Sequence, residues 1–191
     1  MQKKHESEAI AEAVRLKIVS ALAGKTAVTQ AVADSIAEAV ARMLEAAGNT
    51  AARVTTTVAT ASVGAIRGAI ESGCDLAPAT QGLILGVLRS TRLIGSEVTD
   101  TIEHTAAIVL KSAAQAGGDL EAAATGLLRG AIEGAQEMGI NVEDAASAAA
   151  RGALNAVGDV RSTAYQTVLA AVTKPIDGVT VAPEEPELSL N

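Results

Sequence analysis

The sequence predicts an all-α protein of about eight short antiparallel helices, built from a 22-residue repeat. Glycines recur at this period through the middle of the chain, at Gly73, Gly95, Gly117 and Gly139. A fixed period longer than a helical turn is typical of repeat architectures. Alanine makes up 42 of the 191 residues, whereas Phe and Trp are absent. Alternating runs of β-branched and aromatic residues, which would indicate strands, are nearly missing from the sequence.

Apolar residues within each 22-residue segment follow helical spacing. Counted from the glycine, they dominate positions 4, 8, 11, 15, 19 and 22. Steps of three and four place these residues on one face of a helix. The same spacing also fits one continuous helix, because 22 is twice 11 and an 11-residue period gives a right-handed supercoil.

The residues around the glycines favour separate helices over a continuous one. A left-handed Gly commonly ends a helix, and Asp or Asn commonly caps the next one. Asn141 follows Gly139, and Asp119 follows Gly117, at the spacing that this pattern requires. Pro78 falls in the first turn of a separate helix, whereas inside a continuous helix it would cost about 3 kcal/mol.

The same signals bound the remaining helices. Gly24 and Gly48 are each followed by a residue that can cap a helix. Gly158 separates the last two predicted helices, and Pro175 ends the last one. Residues 54–58 favour β-structure by composition, but they lie inside a longer helical pattern and are interpreted as helix. The predicted helices span about 6–23, 27–47, 51–72, 76–94, 98–116, 120–138, 142–157 and 160–173.

The strongest internal match is found at an offset of 44 residues, where Gly82–Gly86 aligns with Gly126–Gly130. The repeating unit is therefore predicted to be a hairpin of two antiparallel helices. A stacked helical array and a closed multi-helix bundle both fit this pattern.

The chain is predicted to divide into a helical repeat domain, residues 1–174, and a flexible acidic tail, residues 175–191. The tail carries Pro183, Pro186 and three glutamates close to the end of the chain, a composition typical of extended, mobile segments. It can serve as a solubilising tail, or as a short docking motif ending in Leu188–Leu190.

Charge and composition exclude several classes of function. The net charge of −7 disfavours nucleic-acid binding, which depends on neutralising phosphates. The longest uncharged runs, residues 54–66 and 76–88, are 13 residues each, shorter than the roughly 20 needed for a transmembrane helix. A lone cysteine, Cys74, and the lack of an apolar leader after the charged start indicate a cytoplasmic protein.

Pairs of glycines four residues apart form candidate interaction faces. Small residues at this spacing let another helix approach closely. This spacing predicts either tight packing within the fold or a face for self-association. The residues concerned are Gly64, Gly68, Gly82, Gly86, Gly126, Gly130 and Gly134.

Asp100 and His104 are the weak candidates for a metal site. They lie four residues apart and therefore share one face of a helix, where they could supply two ligands. His5 is the only other histidine in the chain. A surface or capping role for His104 is the alternative. No motif for catalysis or for cofactor binding is recognised, so neither an enzyme nor a cofactor is predicted.

Basic residues also recur at the 22-residue period. Arg67, Arg89 and Lys111 form one such series, and Arg129 and Arg151 form another. Cations late in a helix interact favourably with the negative end of its dipole. A ladder that binds anions is the alternative interpretation.

Three families share general properties with this chain. The 22-residue period is similar to that of exchangeable apolipoproteins, and the 11-residue subperiod is similar to that of late-embryogenesis-abundant proteins. The alanine-rich, acidic, Cys-poor composition resembles that of phasins, which coat polyester storage granules in bacteria. There is also a general likeness to Ala/Gly-rich helical proteins of bacteria.

We expect a non-enzymatic structural or interaction protein, either a homo-oligomer or a scaffold for a protein partner. The resemblance to phasins implies an alternative, an amphipathic protein that coats a lipid or storage-granule surface. A metal-binding helical bundle is the second alternative.

Overall fold

The repeat folds into helices joined by short turns. A computed structural model describes residues 2–23, 27–47, 51–91, 96–159 and 161–182. Within these ranges the chain forms eight helices, as the glycine pattern predicts. They are α1 (Gln2–Leu22), α2 (Val28–Ala47), α3 (Ala51–Glu71), α4 (Leu76–Thr91), α5 (Ser96–Gln115), α6 (Leu120–Met138), α7 (Val142–Val157) and α8 (Thr163–Val172).

The predicted caps form at the start of α6 and α7. The Asp119 carboxylate accepts a hydrogen bond from the backbone N–H of Ala122 at 3.0 Å, and the Asn141 side chain accepts one from Asp144 at 3.0 Å. Each cap satisfies a backbone donor that has no partner within its helix. These caps fix where each helix begins.

The repeat glycines end helices, as predicted. Gly117 and Gly139 have φ angles of 70° and 69°, a left-handed conformation that glycine adopts without steric cost. The N–H of Gly139 also reaches the carbonyl oxygens of the last turn of α6. Three other predicted breaks, Gly24, Gly48 and Gly95, lie outside the described residues.

The structure bears on two details of the predicted helices, residues 54–58 and the start of α8. Residues 54–58 are helical within α3, as interpreted from the pattern. Helix α8 begins at Thr163 rather than near residue 160, because the Asp159 carboxylate accepts the Arg161 N–H within a turn and Ser162 provides the cap. A capping residue in the sequence can therefore form a turn instead.

The helices stack in two layers. Helices α1, α3, α5 and α7 form the odd layer, and α2, α4, α6 and α8 form the even layer. Among the described residues, every pair of contacting helices is one or two positions apart along the chain, so α1 does not meet α8. This pattern defines an open stacked array rather than a closed bundle.

Helices of the same layer run parallel to each other. Gly64 of α3 lies against Ala11 of α1, and Gly68, one turn further along α3, lies against Arg15. Both helices therefore advance in the same direction. Helices that follow each other in sequence are antiparallel, as predicted for hairpins.

Two residues that follow the predicted boundary at residue 174 pack against the helices. Ile176 and Val181 are buried and belong to the hydrophobic core, and Ile176 pairs with Val179 through an antiparallel bridge. The rest of the predicted tail, residues 183–191, lies outside the described residues.

Candidate interaction surfaces

The glycines predicted as an interaction face lie in contacts between helices of the same layer. A side chain at Gly68, Gly86 or Gly130 would begin 2.8, 2.5 or 2.6 Å from a backbone carbonyl oxygen of the neighbouring helix. Gly64, Gly82 and Gly126 lie at least as close to their neighbours, and Gly134 lies against Leu88. Such separations leave no room for a Cβ atom.

Of the two alternatives for these glycines, this placement fits tight packing within the fold. All seven are occupied by helices of the same chain. The close approach of backbones instead compensates for the small volume of the alanine side chains that fill the core. A surface for a partner must be formed by other residues.

Gly152 of α7 is a further close-contact glycine, and the spacing of paired glycines does not identify it. It lies against the backbone of Glu103 in α5. The signal in the sequence is the 22-residue period itself, which relates Gly64, Gly86, Gly130 and Gly152. Helix α5 carries Ile108 at this repeat position, so the contact between α3 and α5 has no equivalent glycine.

Polar side chains connect α4 to α6. The buried Thr80 hydroxyl lies 2.8 Å from the carbonyl oxygen of Leu76 in its own helix and 3.0 Å from that of Ala123 in α6. The Gln81 amide also donates a hydrogen bond to Glu133 at 2.7 Å. These bonds satisfy buried polar groups at a contact where glycines bring the backbones together.

Two of the periodic basic residues pair with glutamates of the next helix in their layer. Arg89 of α4 makes two hydrogen bonds to Glu137 of α6, at 2.9 and 2.6 Å. Arg151 of α7 pairs with Glu103 of α5 at 3.1 Å. The hydrogen bond from Arg89 is the main cause that lowers the pKa of Glu137 below its usual value. Both arginines therefore connect helices of one layer. Of the two, only Arg89 lies in the last turn of its helix, where a cation can interact with the negative end of the helix dipole.

The contact between α3 and α5 is the sparsest of the odd layer. Two hydroxyls, those of Ser62 in α3 and Thr105 in α5, are fully buried and have no hydrogen-bond partner. Helical geometry places Ser62 on the side of α3 opposite Gly64, and Thr105 on the side of α5 that faces away from α7. Both side chains therefore lie at the contact between α3 and α5.

Asp100 and His104 are exposed on α5. Within the residues that the structure describes, no group of three or more His, Cys, Asp and Glu side chains could hold a metal ion. Across the same residues, no helix combines the length and apolar character required to cross a bilayer.

The first helix of the odd layer has an exposed outward flank. Ala11 and Val14 of α1 lie against Gly64, so the opposite side of α1 points away from the array. Leu16 lies on that side and is 55% exposed, the only large hydrophobic side chain left exposed among the described residues. A single exposed Leu is common on protein surfaces, but this one lies where a further helix of the layer would pack.

Comparisons with known proteins support the fold and name no function. No family model matches the sequence, and no curated protein matches it. The crystal structure of a de novo designed helical repeat protein, DHR7, is similar, with a TM-score of 0.52 and 14% sequence identity. The similarity covers 88% of this chain and 91% of the designed one. The chain therefore has an all-α helical repeat fold.

Proposed function

We propose that this chain is a non-enzymatic structural or interaction protein that self-associates or holds a protein partner. The observation that carries the proposal is the open array of two helical layers. Stacked repeats contact only their neighbours and present extended surfaces, which repeat proteins commonly use for binding.

The described surface supports a protein partner more than an anionic polymer. Arg89 and Arg151 are engaged by glutamates of neighbouring helices, and the whole chain carries a net charge of −7. An acidic surface repels nucleic acids at long range. A protein partner or a second copy of the chain requires no such excess of positive charge.

A protein that coats a lipid or storage-granule surface is the alternative function that the composition suggests. The large apolar side chains, such as Leu83, Leu127 and Ile132, are buried between the layers. A coat that uses them would require the array to open and lay its apolar face on the surface. Flotation with liposomes or polyester granules separates the two functions, because an array whose two layers stay packed together remains in the soluble fraction.

Self-association and partner binding are tested on the purified full-length chain. Sedimentation equilibrium over a range of concentrations measures self-association. Affinity capture from the native host, followed by reconstitution with the purified candidate, measures partner binding. A chain that stays monomeric at every concentration and reconstitutes with no captured protein would contradict the proposed function.

A further inference from the structure

We propose that the outward flank of α1 is a dimerisation surface, on which a second copy of this chain packs its own α1 in parallel. This inference rests on the proposed function and names the surface for self-association. The surface consists of Ala9, Ala13, Leu16 and Ser20, which we call the α1 stripe.

The α1 stripe is continuous and uncharged. Its residues are spaced by four, three and four, so they share one side of the helix. All four are exposed. The opposite side of α1 is buried against α3, through residues that include Ala11, Val14 and Ile18. The array therefore covers one flank of α1 and leaves the other open.

The stripe occupies the positions that receive a helix elsewhere in the array. Leu16 and Ser20 are related to Gly82 and Gly86 by a multiple of the 22-residue period. In α4, Gly82 and Gly86 pack against α2, the preceding helix of the even layer. Among the described helices, α1 contacts only α2 and α3, so its equivalent flank stays exposed as an extension of the packing surface of the odd layer.

Charges beside the stripe favour a second copy in parallel orientation. With Ala13 and Ser20 as a positions and Ala9 and Leu16 as d positions of a heptad, Glu12 is a g position and the following e position is Lys17. In a parallel helix pair, a g side chain meets the next e side chain of the other helix. Glu12 of each copy therefore meets Lys17 of the other, with side chains that are 55% and 33% exposed.

An antiparallel arrangement is disfavoured by the charges of α2. A dyad perpendicular to α1 would bring the α2 helices of the two copies together. The outward flank of α2 carries the exposed carboxylate of Asp34, and like charges across an interface oppose association. A dyad parallel to α1 places the two even layers on opposite sides and avoids this contact.

The surface is short, so the dimer is expected to depend on concentration. Specific stable interfaces bury about 1,200 to 2,000 Å² in total, and a single helix stripe without aromatic residues falls at or below this range. Small residues allow the two helices to approach closely, and Leu16 supplies the largest apolar contact. Association is therefore expected to be measurable by sedimentation equilibrium at high protein concentration.

The test uses complementary charge reversals in the full-length chain. E12K alone and K17E alone each create two like-charged pairs in the parallel dimer, and each is expected to weaken self-association roughly tenfold or more. Mixed in equal amounts, the two variants are expected to form a heterodimer, because every pair is then opposite in charge. L16E is expected to abolish dimerisation in either background.

The controls separate dimerisation from folding. Glu12 also pairs with Arg15, and Lys17 also pairs with Glu38, so each variant is first compared with the parent by circular dichroism and thermal unfolding. E143K changes an exposed acid on α7 and should leave self-association unchanged. Recovery in the mixture cannot come from the intramolecular pairs, since neither chain regains them.

The outcomes distinguish this inference from the proposed function. A dimer that is insensitive to E12K, K17E and L16E overturns the assigned surface and leaves self-association standing. Failure of the mixture to recover overturns the parallel pairing. A parent chain that is monomeric at every concentration overturns the inference, while reconstitution with a protein partner would still support the proposed function.

Discussion

The contacts between α4 and α6 and between α3 and α5 join helices of one layer in different ways. At the first contact, Gly126 and Gly130 bring the backbones close together and the Thr80 hydroxyl reaches two carbonyl oxygens. At the second, the Ser62 and Thr105 hydroxyls are buried without partners. The comparison shows that one architecture accommodates both a close contact with satisfied polar groups and a sparser one.

A single repeat position accounts for much of this difference. Gly64, Gly86, Gly130 and Gly152 each let a helix approach the preceding helix of its layer. Helix α5 has Ile108 there, and its contact with α3 is the sparsest of the odd layer. A branched side chain at this position is expected to leave less room for two backbones to approach. The odd layer is therefore expected to be least stable between α3 and α5.

The largest expected effect comes from giving α6 the residue that α5 carries. Gly130→Ile would place a Cβ atom 2.6 Å from the Gln81 carbonyl oxygen. The resulting overpacking should lower the free energy of unfolding by about 3 kcal/mol, measured by urea denaturation. Gln136→Ile, on the exposed side of the same helix, is the control and should change it by less than about 0.5 kcal/mol.

A small effect of Gly130→Ile would contradict the role assigned to this repeat position. It would mean that α4 and α6 can separate without loss of stability. The difference between the two contacts would then depend on the buried hydroxyls rather than on the glycine.

Threonine-to-valine changes at the two contacts should have opposite signs. Thr105→Val removes a buried hydroxyl without a partner at nearly constant volume, and should raise the free energy of unfolding by about 1 kcal/mol. Thr80→Val removes a bonded hydroxyl and should lower it by about 1 kcal/mol. Both are measured by chemical denaturation under one set of conditions. Effects of the same sign would contradict the different hydrogen bonding assigned to the two hydroxyls.

The smallest expected effect is the pH dependence of the Arg89–Glu137 pair. The folded pKa of Glu137 is lowered mainly by its hydrogen bond from Arg89, and the unfolded pKa is about 4.3. The stabilisation is thus fully present above the unfolded pKa and is lost as pH falls through the lower folded value. Glu137→Gln should therefore cost stability near neutral pH and less in acid.

This cost should stay below about 1 kcal/mol, because the Glu137 side chain is 40% exposed and solvent screens the pair. Thermal unfolding between neutral and acid pH measures it. In an Arg89→Met background the same substitution should have no pH-dependent effect. If Glu137→Gln had the same pH-dependent effect with and without Arg89, the pH dependence would have to come from other groups.

Helix ends could be predicted from the sequence because their chemistry is local. The left-handed glycines Gly117 and Gly139, and the caps Asp119 and Asn141, each act on backbone groups within a few residues. The layer arrangement could not be predicted in the same way. Periods of 22 and 44 residues describe a helix and a hairpin, and they do not specify which hairpins meet.

The interaction surface was harder to predict than the fold. Paired glycines indicate that a helix approaches closely, but not whether that helix belongs to the same chain. Leu16 lies in an amphipathic helix and resembles a core residue in the sequence. Its exposure follows only from the position of α1 at the start of the odd layer, which is a property of the assembled array.

The two ends of the odd layer differ in the exposure of their outward flanks, and this difference would limit the proposed assembly. Ala150 and Leu154 lie on the flank of α7 away from α5, and both are buried, whereas Leu16 on the outward flank of α1 is exposed. An array with two bare ends could add copies head to tail into a filament. With one exposed end, the pairing of α1 that we propose would cover that surface in both copies and would stop at two.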